Sequence, residues 1–145
     1  MMSGAGNDGA GCAECGALRV EGLGCWEQFG WVLAWEAQDP ELLAEHFLTV
    51  ACYNIQHPAQ FTDEVITGLH EALKERLDEG VPVEVIRQRN SKLYEGKRRV
   101  LKREAERRPV LRRWAMTIAD VYIPEQPEGA AARVRRWAAA IRSEL

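Results

Sequence analysis

The sequence predicts an all-α fold: a helical bundle of about five or six helices with an N-terminal zinc knuckle. Three observations predict this. Apolar residues recur at helical spacing along most of the chain, and prolines and glycines divide that pattern into segments. No run in which apolar and polar residues alternate is long enough to define a strand. Three cysteines near the N-terminus and a later histidine are residue types that bind metal ions.

The length and composition predict one soluble domain. A chain of 145 residues has room for one hydrophobic core, and 46% hydrophobic and 28% charged residues are ordinary for a globular protein. Residues 1–11 are rich in Gly, Ala and Ser and resemble a flexible tail rather than a signal peptide. No apolar run approaches the roughly 20 residues of a membrane span. We therefore expect a cytoplasmic protein with no membrane contact, whose single helical domain comprises a knuckle (12–24) and a helical body (25–145).

Two helices open the predicted body. The first covers residues 25–38 and the second residues 40–56, with Asp39 as the N-cap of the second and a proline at its first position. A residue before a proline is pushed out of the α region, so His57 before Pro58 ends the second helix. The predicted buried face of the second helix consists of Leu43, Phe47, Val50, Ala51 and Asn54.

Three more helical segments follow. The third helix begins after Thr62 as cap and stops at Gly80, and the fourth opens at Pro82 and is broken at Gly96. The last helix covers residues 128–145. Its predicted buried face consists of Val134, Trp137, Ala138 and Ile141.

The stretch between the fourth and last helices is polar and interrupted by prolines. Its only strand candidate is residues 118–123.

The cysteine spacing predicts a structural zinc site. The Cys12-x-x-Cys15-Gly16 turn supplies two thiolates, and Cys25 follows at the start of the first helix. Because we expect no export signal, clustered cysteines are better explained as metal ligands than as disulfides. A redox dithiol would follow a strand, and none precedes this turn. Four protein ligands would leave no open position, which is typical of structural Zn²⁺.

The fourth ligand is chosen by geometry. A very short loop at residues 38–40 makes the first two helices an antiparallel hairpin, so Cys25 should lie beside the end of the second helix, where His57 is. Cys52 and His46 are the alternatives. Cys52 is also explained as a small buried apolar residue, and His46 lies roughly 16 Å from His57 along a helix axis.

Four short stretches are similar to those of a known family. They are Cys12-Ala-Glu-Cys15-Gly16 followed by Cys25, Tyr53-x-x-Gln56-His57-Pro58, Thr117-Ile118-Ala119-Asp120-Val121, and Val134-x-x-Trp137-Ala138. On these motifs the chain resembles a family of small, mostly bacterial proteins catalogued as a domain of unknown function. The resemblance implies a cysteine-rich N-terminus on a helical body, and it implies no activity. The chain departs from the family by lacking a second tryptophan in its last helix.

A basic segment at residues 87–113 offers a second hypothesis. It carries twelve Lys and Arg against three acidic residues, although the whole chain has a net charge of −3. Such arrays bind nucleic acid phosphates, with Tyr94 and Trp114 as flanking aromatic residues. The alternative is a solvated surface that pairs with the acidic third helix. The central basic residues are Lys97, Arg98, Arg99, Lys102, Arg103, Arg107, Arg108, Arg112 and Arg113.

A catalytic metal site between helices one, two and three is the third hypothesis. Glu36, His46 and His70 could converge there, although their spacing matches no metalloenzyme motif. We found no glycine-rich phosphate loop and no nucleophile elbow. We therefore expect a binding or regulatory module rather than an enzyme, with an unknown protein or a second copy of the chain as its partner.

Overall fold

The computed structural model describes residues 11–95 and 99–145. The predicted tail, apart from its last residue, and the predicted helix break at Gly96 lie outside these residues. The described ranges contain six α-helices and no β-strand, since pairing of the β type is limited there to two isolated bridges. The predicted all-α fold is confirmed. The helices are α1 Cys25–Trp35, α2 Pro40–Ala44, α3 His46–Ile55, α4 Asp63–Glu79, α5 Val83–Leu93 and α6 Ala130–Ser143.

The boundary between the first two helices follows from local capping. A 3₁₀ turn, Glu36–Gln38, extends α1. The Asp39 carboxylate then accepts a hydrogen bond from the Leu42 backbone N–H at 3.1 Å, with Pro40 at the first position of α2. Asp39 is therefore the N-cap, as predicted.

The predicted single helix over residues 40–56 is wrong, because the chain turns at Glu45 and forms α2 and α3 instead. In one continuous helix Leu42 and Leu48 would lie about 120° apart. The turn allows both to be buried in the core. It also changes the predicted face, since Leu43 is exposed. The buried apolar residues of α3 are Leu48, Ala51, Cys52, Tyr53 and Ile55.

The helices α1 and α3 run antiparallel. At one end Glu36, just after α1, contacts His46, the first residue of α3, at 2.8 Å. At the other end the sulfur of Cys25, the first residue of α1, lies 3.4 Å from His57, which follows α3. The expected hairpin is therefore present, with α2 inserted in its connection.

The helix α6 closes the core against α3, α4 and α2. Its predicted buried face is confirmed, because all four of those side chains are completely buried. Burial of this apolar face is the main contribution of α6 to stability.

The helix α4 ends at Gly80, which adopts the left-handed conformation with φ +67°.

Residues 99–129 contain no α-helix and form three 3₁₀ turns. Residues 99–113 lie at the surface, whereas Ile118, Val121 and Tyr122 are buried in the core. The strand candidate at 118–123 is instead a 3₁₀ turn, Ile118–Asp120. Its cause is local: the Thr117 hydroxyl accepts from the Ala119 N–H, and the Asp120 carboxylate accepts from the Thr117 N–H. Within the described ranges, no helix has the length and apolar character needed to cross a membrane.

Candidate metal centre

The paired cysteines lie in a tight turn whose N–H groups point at their sulfurs. The backbone N–H groups of Glu14 and Cys15 donate to the Cys12 sulfur, and that of Ala17 donates to the Cys15 sulfur, each at 3.4 Å. Gly16 has φ +79°, a conformation that a side chain would strain. These N–H groups stabilise negative charge on the sulfur atoms. They therefore favour the thiolate, which is the form of cysteine that binds metals.

Cys25 reaches the same point from the start of α1. The helix begins there because the Glu27 carboxylate accepts a hydrogen bond from the Gly24 N–H at 2.7 Å. This contact fixes the first turn of α1, so the Cys25 sulfur is held by a rigid element. The sulfur lies 3.7 Å from the Tyr53 hydroxyl.

His57 presents one defined nitrogen to the sulfurs. Its Nδ1 lies 2.6 Å from the backbone carbonyl oxygen of Tyr53. A carbonyl can only accept, so Nδ1 carries the proton and donates it. In the neutral ring Nε2 is then left with a free lone pair, and it lies 3.4 Å from the Cys25 sulfur and 3.8 Å from the Cys12 sulfur.

The four ligand atoms of Cys12, Cys15, Cys25 and His57 all lie within 4.8 Å of one another. They are close enough to bind a metal. Tetrahedral zinc with ordinary bond lengths would place a sulfur and a nitrogen ligand about 3.6 Å apart. The observed distances of 3.4 and 3.8 Å bracket that value. The arrangement therefore fits a tetrahedral ion without rearrangement of the helices.

The protonation of the cluster reflects this crowding. Hydrogen bonds from Cys15, and then from Cys25 and His57, lower the pKa of the Cys12 thiol. The contact with Cys12 raises the pKa of Cys15. Burial lowers the pKa of His57, but its contacts with the sulfurs outweigh burial and raise it to about 10. Metal binding requires deprotonated thiols and a neutral imidazole, so we expect the affinity of this cluster for a metal ion to depend on pH.

Aromatic rings cover one side of the cluster. The Tyr53 ring stacks on His57 with centroids 4.0 Å apart, and Phe29 stacks on the other face of Tyr53 at 4.1 Å. The centroid of the Trp26 ring lies 5.9 Å from those of both Phe29 and Tyr53. Cys15 and His57 are buried, whereas Cys12 and Cys25 are half-buried. This stack keeps the imidazole in one orientation and excludes water from that side.

The alternative fourth ligands lie elsewhere. Cys52 is completely buried in the core among apolar side chains, and burial raises the pKa of its thiol. The imidazole of His46 contacts the Glu36 carboxylate at the opposite end of the hairpin. All four cysteines are free of disulfides. Of the three candidates, only His57 shares a site with Cys12 and Cys25.

The hypothetical catalytic trio is only partly assembled. Glu36 and His46 are in contact, with His46 Nδ1 at 2.8 and 3.0 Å from the two carboxylate oxygens. His70 does not join them: among the described residues, the Cys12 cluster is the one group of three or more metal-ligating side chains. The contact between Glu36 and His46 instead connects the end of α1 to the start of α3.

Two basic residues of the segment pair with the acidic α4, as the solvated-surface alternative predicts. Arg89 donates to both carboxylate oxygens of Glu75, at 2.5 and 3.0 Å. The Lys102 ammonium lies 3.7 Å from the Asp63 carboxylate. Lys97 and Arg98 lie outside the described residues. The pairing is partial, since other basic residues of the segment have no partner on α4 among the described residues.

Two residues of the site were missed by sequence reasoning. Tyr53 fixes the His57 tautomer through its backbone carbonyl, which no side-chain pattern reveals. Gln56 is buried, donates to the Met116 carbonyl at 2.8 Å and accepts from Trp137 Nε1 at 3.3 Å. The sequence does contain a signal for both residues, because Tyr53 and Gln56 belong to the motif that ends in His57 and Pro58.

Comparison with known proteins identifies the family of this chain. The model of a family described as "Family of unknown function (DUF5946)" matches residues 10–145, and so includes the whole cluster and all six helices. No curated protein and no solved structure matches the chain. The resemblance to a domain of unknown function is confirmed. The chain, a helical protein with a cysteine and histidine cluster fit for a metal, belongs to the DUF5946 family.

Proposed function

We propose that Cys12, Cys15, Cys25 and His57 bind one Zn²⁺ as a closed structural site, and that the protein is a binding or regulatory module rather than an enzyme. The observation that supports this best is the convergence of three sulfurs and one imidazole nitrogen within 4.8 Å. The ligands come from the knuckle, from α1 and from the end of α3. The ion would therefore tie the N-terminal turn to the helical hairpin.

The donor set favours zinc. Three thiolates and one imidazole in a tetrahedral arrangement are typical of structural Zn²⁺ sites, whereas magnesium and calcium prefer oxygen ligands. Metal binding requires reduced thiols, which a cytoplasmic location would maintain. We accordingly propose that the protein works in the cytoplasm.

A structural role is supported by the number of ligands. A catalytic zinc ion keeps one position for water or substrate, and this cluster offers four protein ligands. The stacked rings of His57, Tyr53 and Phe29 cover one side of the cluster with apolar surface. The stack also orients the imidazole, as the neighbours of metal ligands commonly do.

Metal analysis of purified protein and of matched variants tests the proposal. We expect about one zinc per chain in the wild type, and loss of zinc in Cys25→Ser and His57→Ala, because each removes one of four ligands. Cys52→Ser and His46→Ala are the matched controls and should keep full zinc content.

Cobalt substitution tests closure of the site. The spectrum of the Co²⁺ protein should show intense tetrahedral bands and thiolate charge-transfer bands that do not change when small anions are added. Zinc retained in His57→Ala, or a cobalt spectrum that changes with added anions, would contradict a closed Cys₃His site.

A further inference from the structure

Residues 99–113, which we call the basic strap, form an unusually exposed cationic segment. Every residue in it is exposed except Lys102 and Arg107, which are half-buried. It carries seven basic residues and two acidic ones, in a chain whose net charge is −3. The positive charge of an acidic protein is thus concentrated on one surface segment, which creates a local positive potential.

Five guanidinium groups of the strap have no carboxylate within ion-pair distance among the described residues: Arg103, Arg107, Arg108, Arg112 and Arg113. Arg112 lies over the Trp114 ring and donates to the Glu144 carbonyl, which leaves the other four available. Two of them are nevertheless held in place. Arg107 donates to the Lys102 carbonyl at 3.1 and 3.2 Å, and Arg108 donates to the Ala105 carbonyl at 2.7 Å. Backbone carbonyls orient these groups without neutralising their charge.

The backbone of the strap is fixed at both ends. Near its start, the Thr62 N–H donates to the Val100 carbonyl and the Lys102 N–H donates to the Gln60 carbonyl. Near its end, the Arg112 N–H donates to the carbonyl of Glu14, at 3.0 Å. Glu14 lies between the paired cysteines, so the metal knuckle is one of the two anchors. A fixed segment loses little conformational entropy when a ligand binds.

We propose that the basic strap binds the phosphodiester backbone of a nucleic acid. This rests on the proposed function as a binding module with a metal-held knuckle. Six of the seven basic residues are arginines, whose planar guanidinium groups bind phosphate oxygens in pairs and are weakly hydrated. Contacts of this kind provide affinity without reading base sequence.

The strap offers no stacking platform for bases. The guanidinium of Arg112 lies 3.7 Å over the Trp114 ring and covers one face, while the half-buried ring packs against the core. One face of the Trp114 ring is therefore covered, and we assign it no base-stacking role. We accordingly expect binding that depends on phosphates and is insensitive to base composition.

Fluorescence anisotropy with labelled oligonucleotides tests the inference. The probes are a single-stranded RNA, a single-stranded DNA and a DNA duplex, each in two base compositions. With four available guanidinium groups, the affinity for the preferred backbone should fall about 100-fold between about 50 and about 200 mM NaCl. The three probes identify which backbone form supplies the phosphates.

A charge-matched pair of variants localises the binding. Arg103→Gln with Arg113→Gln removes two unpaired strap cations and should lower the slope of log K against log salt by about 2. The control, Arg87→Gln with Arg136→Gln, removes the same charge from α5 and α6. It should leave the slope unchanged.

Three outcomes would overturn the inference: no binding to any probe, equal weakening by both double variants, or binding only to vesicles of phosphatidylserine and phosphatidylcholine. Zinc is measured on the same samples. A failure of binding in fully zinc-loaded protein contradicts the strap alone, whereas protein that holds no metal contradicts the proposed function.

Discussion

Chelating the metal is expected to lower the melting temperature by at least about 15 °C. A structural zinc ion contributes apparent binding free energy on the order of 10 kcal/mol, which is comparable with the whole stability of a typical domain. Residues 11–24 contain no α-helix, and the rest of the chain holds them by only a few contacts, chiefly the Gln28 amide that donates to two of their carbonyls and the buried Ala17. Thermal unfolding followed by circular dichroism, with and without chelator, measures the loss.

Two variants separate metal loss from other effects of the chelator. Cys15→Ser lacks one ligand, so its melting temperature should already be low and should not fall further when chelator is added. Cys52→Ser keeps all four ligands and should respond to the chelator as the wild type does. If complete removal of the metal left the wild-type melting temperature unchanged, the ion would have no structural role.

Trp137→Ala is expected to lower the free energy of unfolding by about 3–5 kcal/mol, the usual cost of removing a large buried aromatic side chain. Trp137 is completely buried on the core face of α6. Its Nε1 donates to the side-chain oxygen of Gln56, which precedes His57. The substitution therefore leaves both a cavity and a buried oxygen atom without its partner. Urea unfolding of the zinc-loaded protein measures the loss.

Trp31→Ala is the matched control, because that side chain is 52% exposed on α1. Its effect should stay within about 0.5 kcal/mol, as for most surface substitutions. Similar losses in the two variants would contradict the burial assigned to α6.

The helices that could be predicted are those with strong local signals. The face of α6 follows from apolar residues at helical spacing, and the end of α4 from Gly80. The turn at Glu45 could not be predicted, since neither glycine nor proline marks it. It is imposed by packing, because Leu42 and Leu48 both enter the core. Residues 99–129 lack a sustained apolar period, and their course is set by contacts with distant residues such as Gln60 and Glu14.

The metal cluster was predictable to the extent that its ligands are local. The spacing of Cys12 and Cys15 identifies them as a pair, and the short loop after α1 places Cys25 near His57. Helical spacing could not separate His57 from Cys52, because both lie near the end of α3. The distinction depends on orientation: the Tyr53 carbonyl turns the imidazole toward the sulfurs.

X-ray absorption spectroscopy at the zinc edge is the most direct test of the metal centre. It should give three sulfur neighbours at about 2.3 Å and one nitrogen neighbour at about 2.0–2.1 Å. A wild-type spectrum with a water oxygen bound, or with fewer than three sulfurs, would contradict the closed Cys₃His centre.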